Sequence, residues 1–227
     1  TQTLAREGAS VILTDSDYKS AQRIADDIQN QETIVSAVEA DISRSAEVKR
    51  VFRGILDRYA RIDILVNSAG ISSVTAFEDI EEEEWDKVLS VNLKGTFLCS
   101  QAVIQPMMSQ GRGRIVNIAS LAAKIGGIAV GAHYSAAKAG VICITKSLAK
   151  RMAPYGVTVN AVAPGPIKTK MLDMWSEDVK EGFRRLIPLG HFGRPDDVAE
   201  TVLFLVSDGA KYITGETINV NGGALMD

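Results

Sequence analysis

The sequence predicts a single α/β domain on a doubly wound parallel sheet, Rossmann-like, with helices on both faces. Three observations carry this: short, continuous apolar runs rich in β-branched residues, amphipathic helical spacing between them, and regular alternation of the two along 227 residues. Strands apolar on both faces belong to sheets covered on both sides, and right-handed crossovers put the connecting helices there.

Thr1 to Glu7 reads as the second half of a helix closed by Gly8. SVILT (Ser10 to Thr14) is a strand, and Asp17 to Gln29 then places Ala21, Ile24, Ala25 and Ile28 on one helical face. TIVSAV (Thr33 to Val38) predicts the next strand, and Val48, Val51, Phe52, Ile55 and Leu56 mark the inward face of the next helix. IDILVN (Ile62 to Asn67) follows as a strand. Glu82 to Ser109 predicts a long or broken helix, its acidic start suited to the helix dipole. RIVNIAS (Arg114 to Ser120) is a strand, His133 to Met152 a helix and GVTVNAVAP (Gly156 to Pro164) a strand. Pro195 starts one more helix, and ETINV (Glu216 to Val220) is the last strand before the turn at Asn221, Gly222 and Gly223.

Doubly wound sheets ordinarily open on a strand, a glycine-rich turn and a helix whose N-terminus receives a pyrophosphate. A mid-sheet strand lost from such a fold leaves two neighbours with unpaired backbone groups. The expectation is a domain over 1–227 that is N-terminally incomplete, the functional polypeptide having roughly 20 further residues for one strand, one loop and a helical turn.

A content of 46% hydrophobic and 23% charged residues suits an ordinary globular domain with one sizeable core. The formal net charge of -3 provides no basic footprint, so nucleic acid and membrane surfaces are not expected partners and a small-molecule substrate is. No run approaches the roughly 18 apolar residues that span a bilayer. Cys99 and Cys143, both in apolar helical runs, are expected as buried free thiols in a reducing compartment, which places the chain in the cytoplasm. No residue set is assigned to a metal.

Ligands of such sheets collect beyond the carboxyl ends of the strands. Those tails are Asp15, Asp41, Asn67 to Gly70, Ser120, and Pro164 to Thr169. Tyr134 and Lys138 stand four apart on one helix, so both project from the same face. A free phenol, with a pKa of about 10, is a poor base at neutral pH, and a neighbouring ammonium favours its ionised form. Such a pair also occurs on solvated helix faces. Ser120 supplies a hydroxyl able to bond an oxygen on which charge develops, or else an ordinary turn serine. Asn92 is a mediocre helix former inside a helical stretch. Asp15 and Asp41 can each also be read as caps of the helices that follow them. His133 stands beside Tyr134, although a lone histidine is more often structural; His191 receives no role.

Together these residues resemble the short-chain dehydrogenase/reductase family across the whole chain. Asn67, Ser68, Ala69 and Gly70 match its Asn-Asn-Ala-Gly motif with Ser at the second position. Ser120 with Tyr134 and Lys138 matches its Ser and Tyr-x-x-x-Lys elements, and Asn92 in VNLKGTF its further catalytic Asn. Pro164 to Thr169 matches its Pro-Gly-x-Ile-x-Thr loop, GRPDDVA (Gly193 to Ala199) its late helix start, and Gly215 to Gly223 its final strand. The glycine-rich turn is the departure from the pattern.

The resemblance implies Tyr134 as acid/base and Lys138 as the group that lowers its pKa and binds the nicotinamide ribose. It implies Ser120 as the holder of the substrate oxygen and Asn92 as keeper of a water in a proton relay. Asp15 would bind both ribose hydroxyls and repel a 2′-phosphate, favouring NAD over NADP. Asp41 and Ile42 would flank the adenine, and Asn67, Ala69 and Gly70 would line the adenosine side. Pro164, Gly165, Ile167 and Thr169 would hold the nicotinamide side, with Thr169 on the carboxamide. Residues 169–190, mixing Met171, Leu172, Met174, Trp175 and Phe183 with charges, would form a substrate lid, Trp175 touching substrate, or else pack on the core or a partner subunit. A homotetramer is implied, with interfaces on the helices at Glu82 to Ser109 and His133 to Met152 and on the C-terminal segment.

The expected activity is hydride transfer between NAD and a small secondary alcohol or ketone, such as a sugar alcohol or hydroxy acid. The three-residue gap between Tyr134 and Lys138 favours carbonyl over enoyl reduction, since enoyl-reducing relatives usually space the pair more widely. A 3-oxoacyl-[acyl-carrier-protein] reductase using NADPH is the second reading. A catalytically silent nucleotide-binding or scaffold protein of the same fold is the third.

Overall fold

A computed structural model describes residues 1–28, 34–127, 129–170 and 172–227. Thr33 of the expected second strand, Gln29 at the end of the preceding helix, Met171 and the side chain of Met174 lie outside the described residues.

A short helix α1 (Gln2–Arg6) leads through Gly8, at φ +83°, into β1 (Val11–Asp15). Next come α2 (Tyr18–Ile28), β2 (Val35–Glu39), α3 (Ser45–Tyr59) and β3 (Ile64–Asn67). The stretch expected as a long or broken helix is α4 (Glu82–Leu89) and α5 (Thr96–Gln110), joined by a π-helical turn at Ser90–Gly95. Then follow β4 (Gly113–Ile118), α6 (Ala122–Ile125), α7 (Ala132–Met152) and β5 (Val157–Pro164). Two helices, α8 (Glu177–Leu186) and α9 (Pro195–Val206), precede β6 (Thr217–Val220). Local chemistry sets several ends. Ser176 accepts the Val179 N–H to cap α8, and Pro195 occupies the first turn of α9 while Asp197 accepts the Arg194 N–H at 2.6 Å.

All strand pairs are parallel. They form two ladders, β1-β2 and β3-β4-β5-β6. β1 and β3 each pair one neighbour, and residues of both line a single cleft between the ladders. Burial follows this arrangement, since β4 and β5 are almost wholly buried while β1 and β3 are largely intermediate. Helix α1 spans the division: Leu4 packs with the α9, β4 and β5 cluster and Ala5 with Ala25 and Val35.

The core is densest where Val103, Met107, Ile115, Met152 and Val159 meet under β4 and β5. Each such buried side chain contributes about 1.5–3 kcal/mol relative to exposure. Cys99 is buried as expected, but Cys143 is exposed, because it falls on the outward face of α7. Among the described residues no helix is long and apolar enough to cross a membrane.

Candidate active site

The cleft of about 1620 Å³ follows the full length of β1 and β3 between the two ladders and opens across the carboxyl ends of the strands. It exceeds the roughly 300–1,000 Å³ usual for small-molecule sites. Ser120, Tyr134 and Lys138 line it together. Ser120 follows β4 on a turn where its Oγ accepts the Ala122 N–H at 3.1 Å, so the turn-serine reading holds. That bond uses one lone pair of the hydroxyl. Its proton remains for an oxygen in the cleft, where the hydroxyl lies near enough to the Tyr134 phenol to act on it.

Tyr134 is 7% exposed. Burial pushes its phenol above the ordinary range, and the Ser120 hydroxyl works against that rise. The Lys138 ammonium donates to the Ile118 carbonyl at 2.7 Å and stands 5.9 Å from the Tyr134 ring centre. Desolvation, with no carboxylate partner, brings Lys138 itself down to about 8.

Asn92 sits behind the cleft, fully buried in the π-helical turn. Its Oδ1 accepts the Ile71 N–H at 3.0 Å and its Nδ2 donates to the Ile71 carbonyl at 2.8 Å. The side chain therefore pins the loop after β3. A Cβ on Gly70 would stand 2.6 Å from Asn92 Oδ1 and 3.5 Å from Lys138 Nζ, so glycine is what lets loop, asparagine and lysine meet.

Asn67 is buried and donates to Asn117 Oδ1 at 2.8 Å and Ser100 Oγ at 3.1 Å. Asn117 donates in turn to Thr145 on α7 at 2.8 Å. This buried chain fixes β3 and β4 against the helix that carries Tyr134. Asn117 and Thr145 escaped the sequence reading, although an asparagine inside the apolar run RIVNI was a usable signal.

Asp15 and Asp41 differ in how free they are. Asp17, whose carboxylate accepts the Ser20 N–H at 3.1 Å, caps α2. Asp15 accepts only the Asp17 N–H, at 2.9 Å through Oδ1. Its second oxygen is left toward the cleft it lines. Asp41 also lines the cleft, but its carboxylate takes the Ser43 N–H at 2.9 Å, the Ser43 hydroxyl at 2.6 Å and an ion pair with Arg44 at 3.3 Å. Those bonds hold its carboxyl below the usual range and close a turn ahead of α3, whose N-cap position is Arg44, rather than capping the helix itself.

Ile42, Ala69 and Gly70 border the same cleft, as do Pro164, Gly165, Ile167 and Thr169 on the opposite side. Trp175 and Phe183, stacked at 4.8 Å, close one end and also pack with buried Leu172, Ile187 and Phe192. The lid and core readings of this segment therefore describe the same side chains. His133 is not on the cleft: its ring is fully buried against Glu84 on α4.

The residues fit a nicotinamide dinucleotide at both ends, with a carboxylate on Asp15 that accepts one backbone N–H through a single oxygen, and a phenol and ammonium at Tyr134 and Lys138. The parallel α/β architecture and this cluster define an NAD(P)-dependent oxidoreductase acting between CH–OH and C=O. The chain belongs to the short-chain dehydrogenase/reductase family.

A family model described as enoyl-(acyl carrier protein) reductase matches residues 1–224. The chain is similar to 3-oxoacyl-[acyl-carrier-protein] reductase FabG of Aquifex aeolicus, 44% identical over 223 residues, covering 98% of this chain and 90% of that protein. FabG of Staphylococcus aureus is 42% identical over 224 residues, covering 98% and 91%. A 3-oxoacyl-[acyl-carrier-protein] reductase of Synechocystis is 43% identical over 226 residues, covering 98% and 90%.

Proposed function

We propose that this enzyme reduces a 3-oxoacyl thioester on an acyl carrier protein to the 3-hydroxyacyl thioester. The observation that carries this reading is the Ser120–Tyr134–Lys138 cluster at a cleft with an apolar end formed by Leu172, Trp175 and Phe183. Relatives 42–44% identical along 98% of the chain, all named for that reaction, support it over a sugar alcohol or hydroxy acid substrate. Three-residue spacing between Tyr134 and Lys138 favours the carbonyl over the enoyl double bond.

When bound, the nicotinamide ring supplies the hydride that C3 of the substrate receives. Ser120 donates to the 3-oxo oxygen and orients it. The Tyr134 phenol, kept protonated by burial, gives that oxygen its proton. The ammonium of Lys138, tied to Ile118, is positioned for the ribose hydroxyls and for replacing the phenol's proton. Asn92 holds the Gly70–Ile71 loop, and any relay through it runs by that support. Asp15 would take the adenosine ribose, Asp41 and Ile42 the adenine, and Thr169 the carboxamide.

The free edges of β1 and β3, facing one cleft, suit one further parallel strand of this protein seated between them. Apolar side chains exposed on α4 and α5, Trp85 and Phe97, suit a homotetramer, and the enzyme would work in the cytoplasm. Light scattering tests the assembly.

Steady-state assays of acetoacetyl-CoA with NADH and NADPH, and of simple secondary alcohols with NAD+ and NADP+, test the substrate. A specificity constant for acetoacetyl-CoA at least about tenfold above the alcohols is expected; a preference for the alcohols overturns the proposal.

A further inference from the structure

The helix that carries Tyr134 begins beside a histidine–glutamate hydrogen bond that the proposed chemistry does not use. His133, immediately before Tyr134, is fully buried, and its Nε2 lies 3.2 Å from Glu84 Oε1 on α4. An ionised carboxylate only accepts, so Nε2 carries the proton. The other ring nitrogen, Nδ1, is buried with no partner. Turning the ring would bury an N–H without an acceptor, which favours the orientation toward Glu84.

The same carboxylate collects a second element. Thr75 Oγ1 donates to Glu84 at 2.9 and 3.1 Å, and the Ser73 hydroxyl stands 2.6 Å from Thr75 Oγ1. Because the threonine hydroxyl is committed to Glu84, Ser73 donates to it, giving a chain from Ser73 through Thr75 to Glu84. The Ser73 carbonyl accepts the Gly131 N–H at 2.8 Å. Gly131 is also where the imidazole packs: a Cβ there would stand 2.2 Å from His133 Cε1. Trp85 stacks on the ring from the far side, centres 6.4 Å apart.

Glu84 thus joins three pieces: α4, the loop that continues from Ile71, and the N-terminus of α7. Ile71 and Val130, which lie on the two joined segments, both line the cleft next to Tyr134. We infer that Glu84, through His133 and Thr75, is a positioning residue that fixes the substrate-side loop at residues 71–75 against the start of α7 and so sets where the Tyr134 phenol stands. The inference rests on Tyr134 serving at the reaction centre. The Ser73 and Thr75 hydroxyls gathered beside Glu84 keep its carboxyl below the usual range, so the joint stays charged at neutral pH.

Glu84→Gln and His133→Leu remove the charged acceptor and the donor in turn, and His133→Asn restores an N–H donor. In acetoacetyl-CoA reduction, each of the first two variants is expected to lower kcat/KM about tenfold, with the cofactor KM unchanged, and His133→Asn to recover most of the loss. Equal changes in both KM values, or no recovery, overturn the inference. Amide hydrogen exchange decides it independently of the substrate. Glu84→Gln should speed exchange at residues 71–76 and 131–135 about tenfold while β4 and β5 stay protected. Unchanged exchange there overturns the positioning role, whereas a wild type inactive on acetoacetyl-CoA with the exchange result intact overturns only the substrate reading.

Discussion

The Lys138 ammonium is bound to the Ile118 carbonyl at 2.7 Å rather than to the Tyr134 phenol. Lysine, tyrosine and serine therefore meet at one cleft through separate attachments. Burial lowers the ammonium to about 8 from 10.5. Between those values the unfolded chain binds the extra proton, so this group's penalty is complete below about pH 8 and is relieved as pH rises toward 10.5. Denaturant unfolding across that window should show wild type gaining on the order of 3 kcal/mol relative to Lys138→Met. Parallel stability profiles would contradict a desolvated lysine.

Ser120 accepts from its own turn and keeps its proton for the cleft it shares with Tyr134. Ser120→Ala should lower kcat about 10²- to 10³-fold through loss of the donor to the substrate oxygen. Its effect on folding should stay small, because the Ala122 N–H lies in a turn that water can reach. A loss confined to the substrate KM would count against polarisation of the carbonyl.

Asp15 keeps one carboxylate oxygen for the cleft because Asp17 does the capping. Asp15→Ser is expected to move the ratio of NADPH to NADH specificity constants by at least about tenfold toward NADPH, since like charges set together cost several kcal/mol. An unmoved ratio removes Asp15 from the ribose site.

Gly70 has no room for a side chain, its Cβ position being 2.6 Å from Asn92 Oδ1. Gly70→Ala should break the Asn92–Ile71 pair, costing about 1–3 kcal/mol of stability and most of the activity. Calorimetry with a parallel assay checks both.

The sheet was legible because each strand is a short apolar run, and ranges such as Gly156 to Pro164 differ from the observed Val157–Pro164 by a residue. Ser120, Tyr134 and Lys138 were legible because helical spacing and strand tails are local properties. What escaped depends on distant partners. Nothing near Lys138 in sequence announces the Ile118 carbonyl, and only the fold brings Asn92 to Ile71 or Glu84 to His133. The π-helical turn at Ser90–Gly95 was visible only as an unusually long helix containing an asparagine. Cys143 was misread because α7 is apolar on more than one face, and composition alone does not say which face meets the core.

Replacement of one oxygen tests the proposed chemistry most directly: Tyr134→Phe, assayed with acetoacetyl-CoA and the preferred nicotinamide cofactor, with folding and cofactor binding measured alongside. Loss of a positioned proton donor predicts a fall in kcat of about 10²- to 10⁴-fold with cofactor affinity retained. Turnover at the wild-type rate would contradict Tyr134 as the donor.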